Sequence, residues 1–315
     1  MSVLRAFLTQ KKNSSLFLYL IWTVFIFFRG KYELKKYSDL ESITKFYLRK
    51  SGRLPNLSSP TLFSEKMQWI KLNHYDELMS ICADKYEVRN WLDTKGYSKI
   101  LNHLLAVYSS VEEINLEELP DSFVLKASHG SGWNLVVTDK NRVNWFLWKK
   151  ILATWLKGSI FWAGREWVYK DLTPRIICEE YLEDKSGALV DYKFHCFHGT
   201  PKFVQANLGR NKSTHVQNFY DTEWNLQEFG KDIDPAPNIK VAPPSQLHQM
   251  IEISKQLSQP FLYSRVDFYE VDGNIIFGEI TFFPAGGYPD FTPAEYDLIW
   301  GELLHLPMVG NNGKS

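Results

Sequence analysis

Apolar and polar positions alternate in short blocks along most of the chain, but residues 16–28 (LFLYLIWTVFIFF) form one unbroken apolar block of thirteen positions. As a helix this block is about 20 Å long, short of the roughly 30 Å hydrocarbon core of a bilayer. Lys11 and Lys12 precede it, and Arg29, Lys31, Lys35 and Lys36 follow. No small-residue cleavage site follows, so a removed signal peptide is not expected. Cations on both flanks argue against export of the downstream chain. The block therefore reads as a helix in the cytoplasmic interface of a membrane, with a helix buried in the fold as the alternative.

Beyond it, residues 31–52 are helical and charged, ending at a glycine, and 54–60 (LPNLSSP) form a loop. Ser64 followed by Met67, Ile70 and Lys71 predicts a capped amphipathic helix. Residues 84–92 predict another, closed by Gly96. After Pro120 comes a strand, 123–127, with a short loop and a second apolar run to 137. Trp145, Trp148, Leu152 and Trp155 have helical spacing. Residues 175–182 predict a strand, and 190–198 with 202–205 a hairpin around Gly199, Thr200 and Pro201. A proline-rich loop, 235–244, precedes a helix over 247–257. The last element is a hairpin over 265–283. Helices and hairpins intermix without an internal repeat, which predicts an α+β class with antiparallel sheets.

The final hairpin, RVDFYEVDGNIIFGEITFF, carries the most chemistry. Asp272-Gly273 is a turn signal. Alternation puts Arg265, Asp267 and Tyr269 on one face of the first strand, and Phe277, Glu279 and Thr281 on one face of the second. With a loop over 272–274, Asp267 and Glu279 lie opposite each other. Like charges so placed destabilise a hairpin unless something positive sits between them. Two converging carboxylates without thiol or imidazole suit Mg²⁺, and Arg265 adds a fork for an oxyanion. The plainer reading is a solvated polar face.

Lys126 is the single charge in the run FVLKA and is costly to bury without a counter-charge. The following Ser128, His129, Gly130, Ser131 and Gly132 offer backbone N–H groups and hydroxyls, an anion-binding concavity. This is no Walker motif, since the lysine precedes the glycines. Lysine, covering loop and carboxylate-bound Mg²⁺ together describe a nucleoside-triphosphate site; a snorkelling lysine beside a plain turn is the alternative.

Composition changes this picture little. The 315 residues are 44% hydrophobic and 23% charged, and the formal net charge of +0 predicts no nucleic-acid footprint. Aromatics make up 15%, enough for a heavy core or for large grooves. Cys82, Cys178 and Cys196 are odd in number and far apart, which fits reduced cytosolic thiols. His195, Cys196 and His198 do not make a zinc site, because the two histidines point to opposite strand faces. His129 could serve as a base or as a phosphate donor.

Seven motifs in order resemble the ATP-grasp enzymes, and among them the TupA-like, teichuronopeptide-biosynthesis-type branch: SEKMQWIKL, ADKYEVR, LPDSFVLKASHGSG, RIICEEYLED, DYKFHCFHG, SRVDFYEVDG and FGEITFFPAGG. The resemblance covers residues 61–304. It implies two α+β lobes clamping ATP between antiparallel sheets. It further implies an abbreviated helical region over 61–120, a small lobe over 121–182 and a C-terminal lobe over 183–306, and the helical, membrane-interfacial segment over 1–60 lies outside it. By position in the motifs, Lys126 would hold the α/β-phosphates under the loop 128–132. Glu179, Glu180, Tyr181 and Leu182 would meet adenine, Asp191 the ribose, and Lys193 a further phosphate. Asp267 and Glu279 would hold Mg²⁺, and Arg265 would stabilise the transition state. Many family members carry Asn where this chain has Thr281, a weaker metal ligand.

The resemblance also implies phosphoryl transfer from ATP to a carboxylate, followed by attack of an amine on the acyl phosphate. Positioning and charge neutralisation carry such a step. The branch is similar to proteins of cell-surface polysaccharide synthesis, which suggests coupling of an amine or amino acid to a uronic acid. Acceptor contacts are expected over 283–293, and a lipid-linked acceptor would fit a chain at the inner face of the plasma membrane. A glycosyltransferase of the same setting is the main alternative, and a non-catalytic scaffold the other. A metal-binding Asp-x-Asp at a strand end, which the former would use, is not expected, and Lys126, Asp267 and Glu279 speak against the latter.

Overall fold

The computed structural model describes residues 15–183, 189–209 and 215–307. In chain order the helices are α1 (Leu16–Lys36), α2 (Asp39–Ser51), α3 (Phe63–Asn73), α4 (Glu77–Ala83), α5 (Glu87–Thr94), α6 (Trp145–Lys157), α7 (Phe161–Gly164), α8 (Leu247–Ser258) and α9 (Tyr296–Leu303). The strands are β1 (Leu104–Tyr108), β2 (Phe123–Ala127), β3 (Asn134–Val137), β4 (Ile176–Glu180), β5 (Asp191–Phe197), β6 (Thr200–Leu208), β7 (Val216–Tyr220), β8 (Gly230–Lys231), β9 (Tyr263–Val271), β10 (Asn274–Thr281) and β11 (Phe291–Thr292). The class is α+β, and its sheets are antiparallel: β1-β4-β2-β3, β10-β9-β5-β6-β7, and the small pair β8-β11. The chain forms two compact units. One holds the residues up to Ile43 with Asp76–Glu183; the other holds Thr44–Tyr75 with the described residues beyond 183.

In the first unit, β2 sends Phe123, Leu125 and Ala127 into the core and leaves Val124 and Lys126 half-exposed on its other face. Helix α6 lies over this core with Ile151, Leu152 and Trp155, as its spacing predicts. Asn144 caps it, its side-chain oxygen accepting from the Leu147 N–H at 3.2 Å. The apolar block 16–28 lies within the longer α1, whose Leu16, Tyr19 and Leu20 pack on the same core. Residues 31–52 do not form one helix. The chain breaks at 37–38, where the Ser38 hydroxyl accepts from the Glu41 N–H at 3.2 Å and starts α2. The buried Arg165 ties off α1 by donating to the Glu33 and Tyr37 carbonyls at 3.0 and 3.2 Å.

In the second unit, α3 inserts Phe63 among Phe197, Tyr263, Phe291 and Trp300, with ring centroids 5.1–6.2 Å apart. Ser64 does not cap this helix. Its N–H and hydroxyl donate to the buried Asp297 carboxylate at 2.8 and 2.6 Å, while Glu65 accepts from the Thr61 and Leu62 N–H groups at the helix start. Glycine is required at Gly301, where an added Cβ would stand 2.1 Å from the Thr61 carbonyl oxygen. Because α3 packs here, residues 61–120 divide: 61–75 belong to the second unit and 76–120 to the first.

Two hairpins of the second unit turn on residue pairs with positive φ: His198 and Gly199 (48° and 74°), and Asp272 and Gly273 (50° and 79°). Such pairs give the two-residue turn whose twist matches the strands. The loop expected over 272–274 is therefore one residue shorter. A bulge at Gly278 makes up the difference, so that Phe277 faces Phe268 while Glu279 faces Asp267. Phe277 consequently shares the buried apolar face with Ile280, and not the face of Glu279 and Thr281 that alternation predicts.

Candidate active site

Lys126 on β2 reaches across to Glu179 on β4, Nζ to Oε2 at 2.5 Å. The other oxygen of Glu179 accepts from Arg89 Nη1 at 3.0 Å, and Arg89 Nη2 donates to the Asn102 carbonyl at 2.6 Å. The counter-charge that Lys126 needs is thus a buried carboxylate shared with a second cation from α5. Glu180 is exposed; its carbonyl accepts from Asn102 Nδ2 at 2.9 Å. Tyr181 and Leu182 follow the strand end, half-buried.

The loop after Lys126 is pinned for half its length. The Ser128 N–H donates to the Arg175 carbonyl at 2.9 Å, and its hydroxyl to Asp84 Oδ2 at 3.0 Å. The His129 ring turns inward, Nε2 lying 3.0 Å from the Trp155 carbonyl, and burial lowers its pKa. Gly130 is buried against Trp133, whose ring an added Cβ would meet at 2.6 Å, and Lys85 Nζ donates to its carbonyl at 2.5 Å. Only Ser131 and Gly132 are exposed. The covering loop read from sequence narrows to this tip, because Ser128 and His129 spend their side chains on the interior. Asp84 also caps α5, accepting from the Tyr86 and Glu87 N–H groups at 2.7 and 3.2 Å. The motif ADKYEVR therefore supports both the loop and Glu179, roles that sequence reading did not assign to it.

In the second unit β5, β9 and β10 bring Asp191, Lys193, Arg265, Asp267, Glu279 and Thr281 onto one face. Arg265 grips Asp267 through Nε and Nη2 at 2.7 Å each, and the same Nη2 donates to Glu279 Oε1 at 3.2 Å and Thr281 Oγ1 at 3.1 Å. The positive group required between the opposed carboxylates is Arg265 itself. Burial opposes the Arg265 charge, but Asp267 and Glu279 outweigh it and hold its pKa above the ordinary value. Burial pushes Asp267 up against the pull of Arg265 and Lys193. Lys193 Nζ contacts Asp267 and bonds both oxygens of Asp191, at 2.7 and 2.9 Å. Asp191 is thereby a partner of Lys193 in this state of the protein.

Three carboxylates face two cations in this cluster, an excess of one negative charge. Among the described residues no three His, Cys, Asp or Glu converge as a self-sufficient metal cage. Two opposed carboxylates with a residual negative charge are nevertheless the protein share that Mg²⁺ takes when phosphates complete its shell. Thr281 Oγ1 donates to Glu279 Oε1 at 3.1 Å and so orients that carboxylate. Next along the sheet, His195 is fully buried between the Tyr263 hydroxyl (2.7 Å) and Gln205 (3.1 Å). Burial and the nearby Arg265 hold it well below the usual imidazole range. This tethered, neutral histidine is a packing partner and no zinc ligand. All three cysteines are buried free thiols.

A family model described as TupA-like ATPgrasp matches residues 65–305, most of the chain and all of the cluster above. The chain belongs to the TupA-like ATP-grasp family. No curated protein matches it. Among solved structures this ATP-grasp protein is similar to the D-alanine–D-alanine ligase of Bacillus anthracis complexed with ATP: 16% identity, 65% of this chain and 56% of that one covered, TM-score 0.40. The D-alanine–D-alanine ligase of Helicobacter pylori gives 13%, 72% and 62%, with a TM-score of 0.38. A RimK domain ATP-grasp protein of Sphaerobacter thermophilus gives 9%, 72% and 69%, also at 0.38. The chain spans less than two thirds of the length of either D-alanine–D-alanine ligase.

Proposed function

We propose that this ATP-grasp protein is an ATP- and Mg²⁺-dependent carboxylate–amine ligase. The observation that carries the reading is the β9–β10 hairpin, where a bulge sets Glu279 opposite Asp267 and Arg265 bridges them. In the reaction a carboxylate oxygen attacks the γ-phosphorus and ADP leaves; an amine then displaces phosphate from the acyl phosphate, loses a proton and forms the amide. Bound Mg²⁺ supplies charge neutralisation to the phosphates through Asp267 and Glu279. Arg265 offers its fork to the charge that develops on the transferring group. Lys126 and the tip Ser131–Gly132 take the α/β-phosphates, Lys193 a further phosphate, the stretch 179–182 adenine, and Asp191 the ribose once Lys193 turns to its anion.

For the substrates we propose a uronic-acid carboxyl and an amine or amino acid, on a cell-surface polysaccharide or its lipid-linked precursor, with membrane contact through residues 16–28. The segment beyond Thr281 supports an acceptor role. Its turn Pro284–Gly287 carries positive φ at Ala285, Gly286 and Gly287. Gln68 and Lys71 hold it, donating to the Gly287 and Gly286 carbonyls at 2.6 Å each. Titration with a non-hydrolysable ATP analogue, with and without Mg²⁺, tests the core of this reading. Mg²⁺-dependent binding that Asp267→Asn abolishes is expected. Binding of a UDP-sugar in its place would overturn it.

A further inference from the structure

Helix α1 is apolar on every side over residues 16–28, and the first unit covers only part of that surface. Leu16, Tyr19 and Leu20 meet the core; Thr23 is buried; Phe27 lies 5.3 Å from Trp162 by ring centroids, and Gly30 backs onto the same ring. These positions advance by three and four and form a single inward stripe. The outward stripe is Phe17, Ile21, Val24 and Phe28. At about 100° per residue these four fall within an arc of about 60°. Phe17, Ile21 and Phe28 are 56%, 37% and 66% exposed, far from the polar surface that a solvated helix presents. Lys31 and Lys35 continue the same line, and both are exposed. Residues 29–36 hold four cations (Arg29, Lys31, Lys35, Lys36) against one anion (Glu33), a local charge of +3.

We propose that α1 lies in the plane of an anionic bilayer surface, with Phe17, Ile21, Val24 and Phe28 in the acyl boundary and the basic end among the headgroups. The apolar part of the stripe is only about 17 Å long, which suits lying and not crossing. Among the described residues no helix is long and apolar enough to cross a membrane. The charge selects the occupant. A second copy would offer the apolar stripe another apolar stripe, but it would set a net basic end, four cations to one anion, against Lys31 and Lys35, whereas an anionic headgroup layer satisfies both halves of the line. The inference rests on the ligase reading only for why the protein belongs at a membrane, and its chemistry is independent of nucleotide.

Co-sedimentation of the full chain with phosphatidylcholine vesicles, with and without phosphatidylglycerol, tests it. Binding to the mixed vesicles is expected, weakened about tenfold or more in a Phe17→Ser, Ile21→Ser, Phe28→Ser variant. Lys31→Glu, Lys35→Glu should remove the preference for anionic lipid. Phe17, Ile21 and Phe28 are exposed, so an unchanged thermal melt is expected of the serine variant and certifies its fold. Equal sedimentation of wild type and the serine variant overturns the proposal. So does a wild type that ignores both vesicles and is dimeric in solution while the serine variant is monomeric. Either failure leaves ATP binding untouched, and absent ATP binding with normal vesicle binding sinks the ligase reading alone.

Discussion

At the scale of single residues, the contact between Lys126 and Glu179 poses a problem that Arg89 solves. A lysine that is to hold phosphate must leave its carboxylate, and a buried carboxylate abandoned by its only cation is costly. Arg89, fixed by the Asn102 carbonyl, stays with Glu179 when Lys126 departs. Arg89→Met should therefore weaken ATP-analogue binding about tenfold, by trapping Lys126. Adding Glu179→Gln should recover most of the loss. Equal affinity in the single and double variants would show that Arg89 merely supports the fold. His195 makes a second case. Its folded-state pKa lies well below the 6.5 of a free imidazole. The unfolded chain then binds the extra proton first, so stability is lost as pH falls below 6.5 towards the folded value. Melting temperature should drop along that limb in wild type and fall less in His195→Gln.

At the scale of elements, the bulge at Gly278 decides which side chains meet. An added Cβ at Gly278 would lie 3.1 Å from the Asp267 carbonyl oxygen. Gly278→Val should displace Asp267 and weaken Mg²⁺-dependent nucleotide binding about tenfold or more. Deleting Gly278 should be the milder change, because plain alternation after Phe277 already sets Glu279 opposite Asp267. Binding measured on both variants checks the order, and a deletion worse than the valine would refute it. The opposition of Asp267 and Glu279 was legible in the sequence because two errors cancelled: a loop one residue too long and a missing bulge. Phe277 exposes the cancellation, since its face comes out inverted. Helix α6 was legible because one buried face dictates its period, and the two hairpins because glycine-bearing turns punctuate them. Strand β7 was not, because it is buried throughout and VQNFY has no alternation to read. Ser128 and His129 looked available to a ligand because sequence cannot show that Asp84 and the Trp155 carbonyl claim them. Lys85 and Arg89 were hidden within a helix motif whose partners lie 45 and 90 positions away.

At the scale of the whole chain, neither unit is a continuous stretch of sequence. The second needs α3, whose Phe63 sits among four aromatic rings of the later chain. A fragment of residues 184–315 should accordingly lack a cooperative thermal transition by circular dichroism, and a sharp two-state melt would contradict the shared core. The family motifs conveyed the order of elements along the chain but not this interleaving, since packing partners far apart leave no local pattern. The tie between Ser64 and Asp297 spans 233 positions. A ribosome adding about 5–20 residues per second takes roughly 10–50 s to cover that distance. For that interval α3 has emerged and its destination is incomplete. Phe63, Met67 and Ile70 wait for the rest of their core, apolar surface of the kind that invites aggregation while it is exposed.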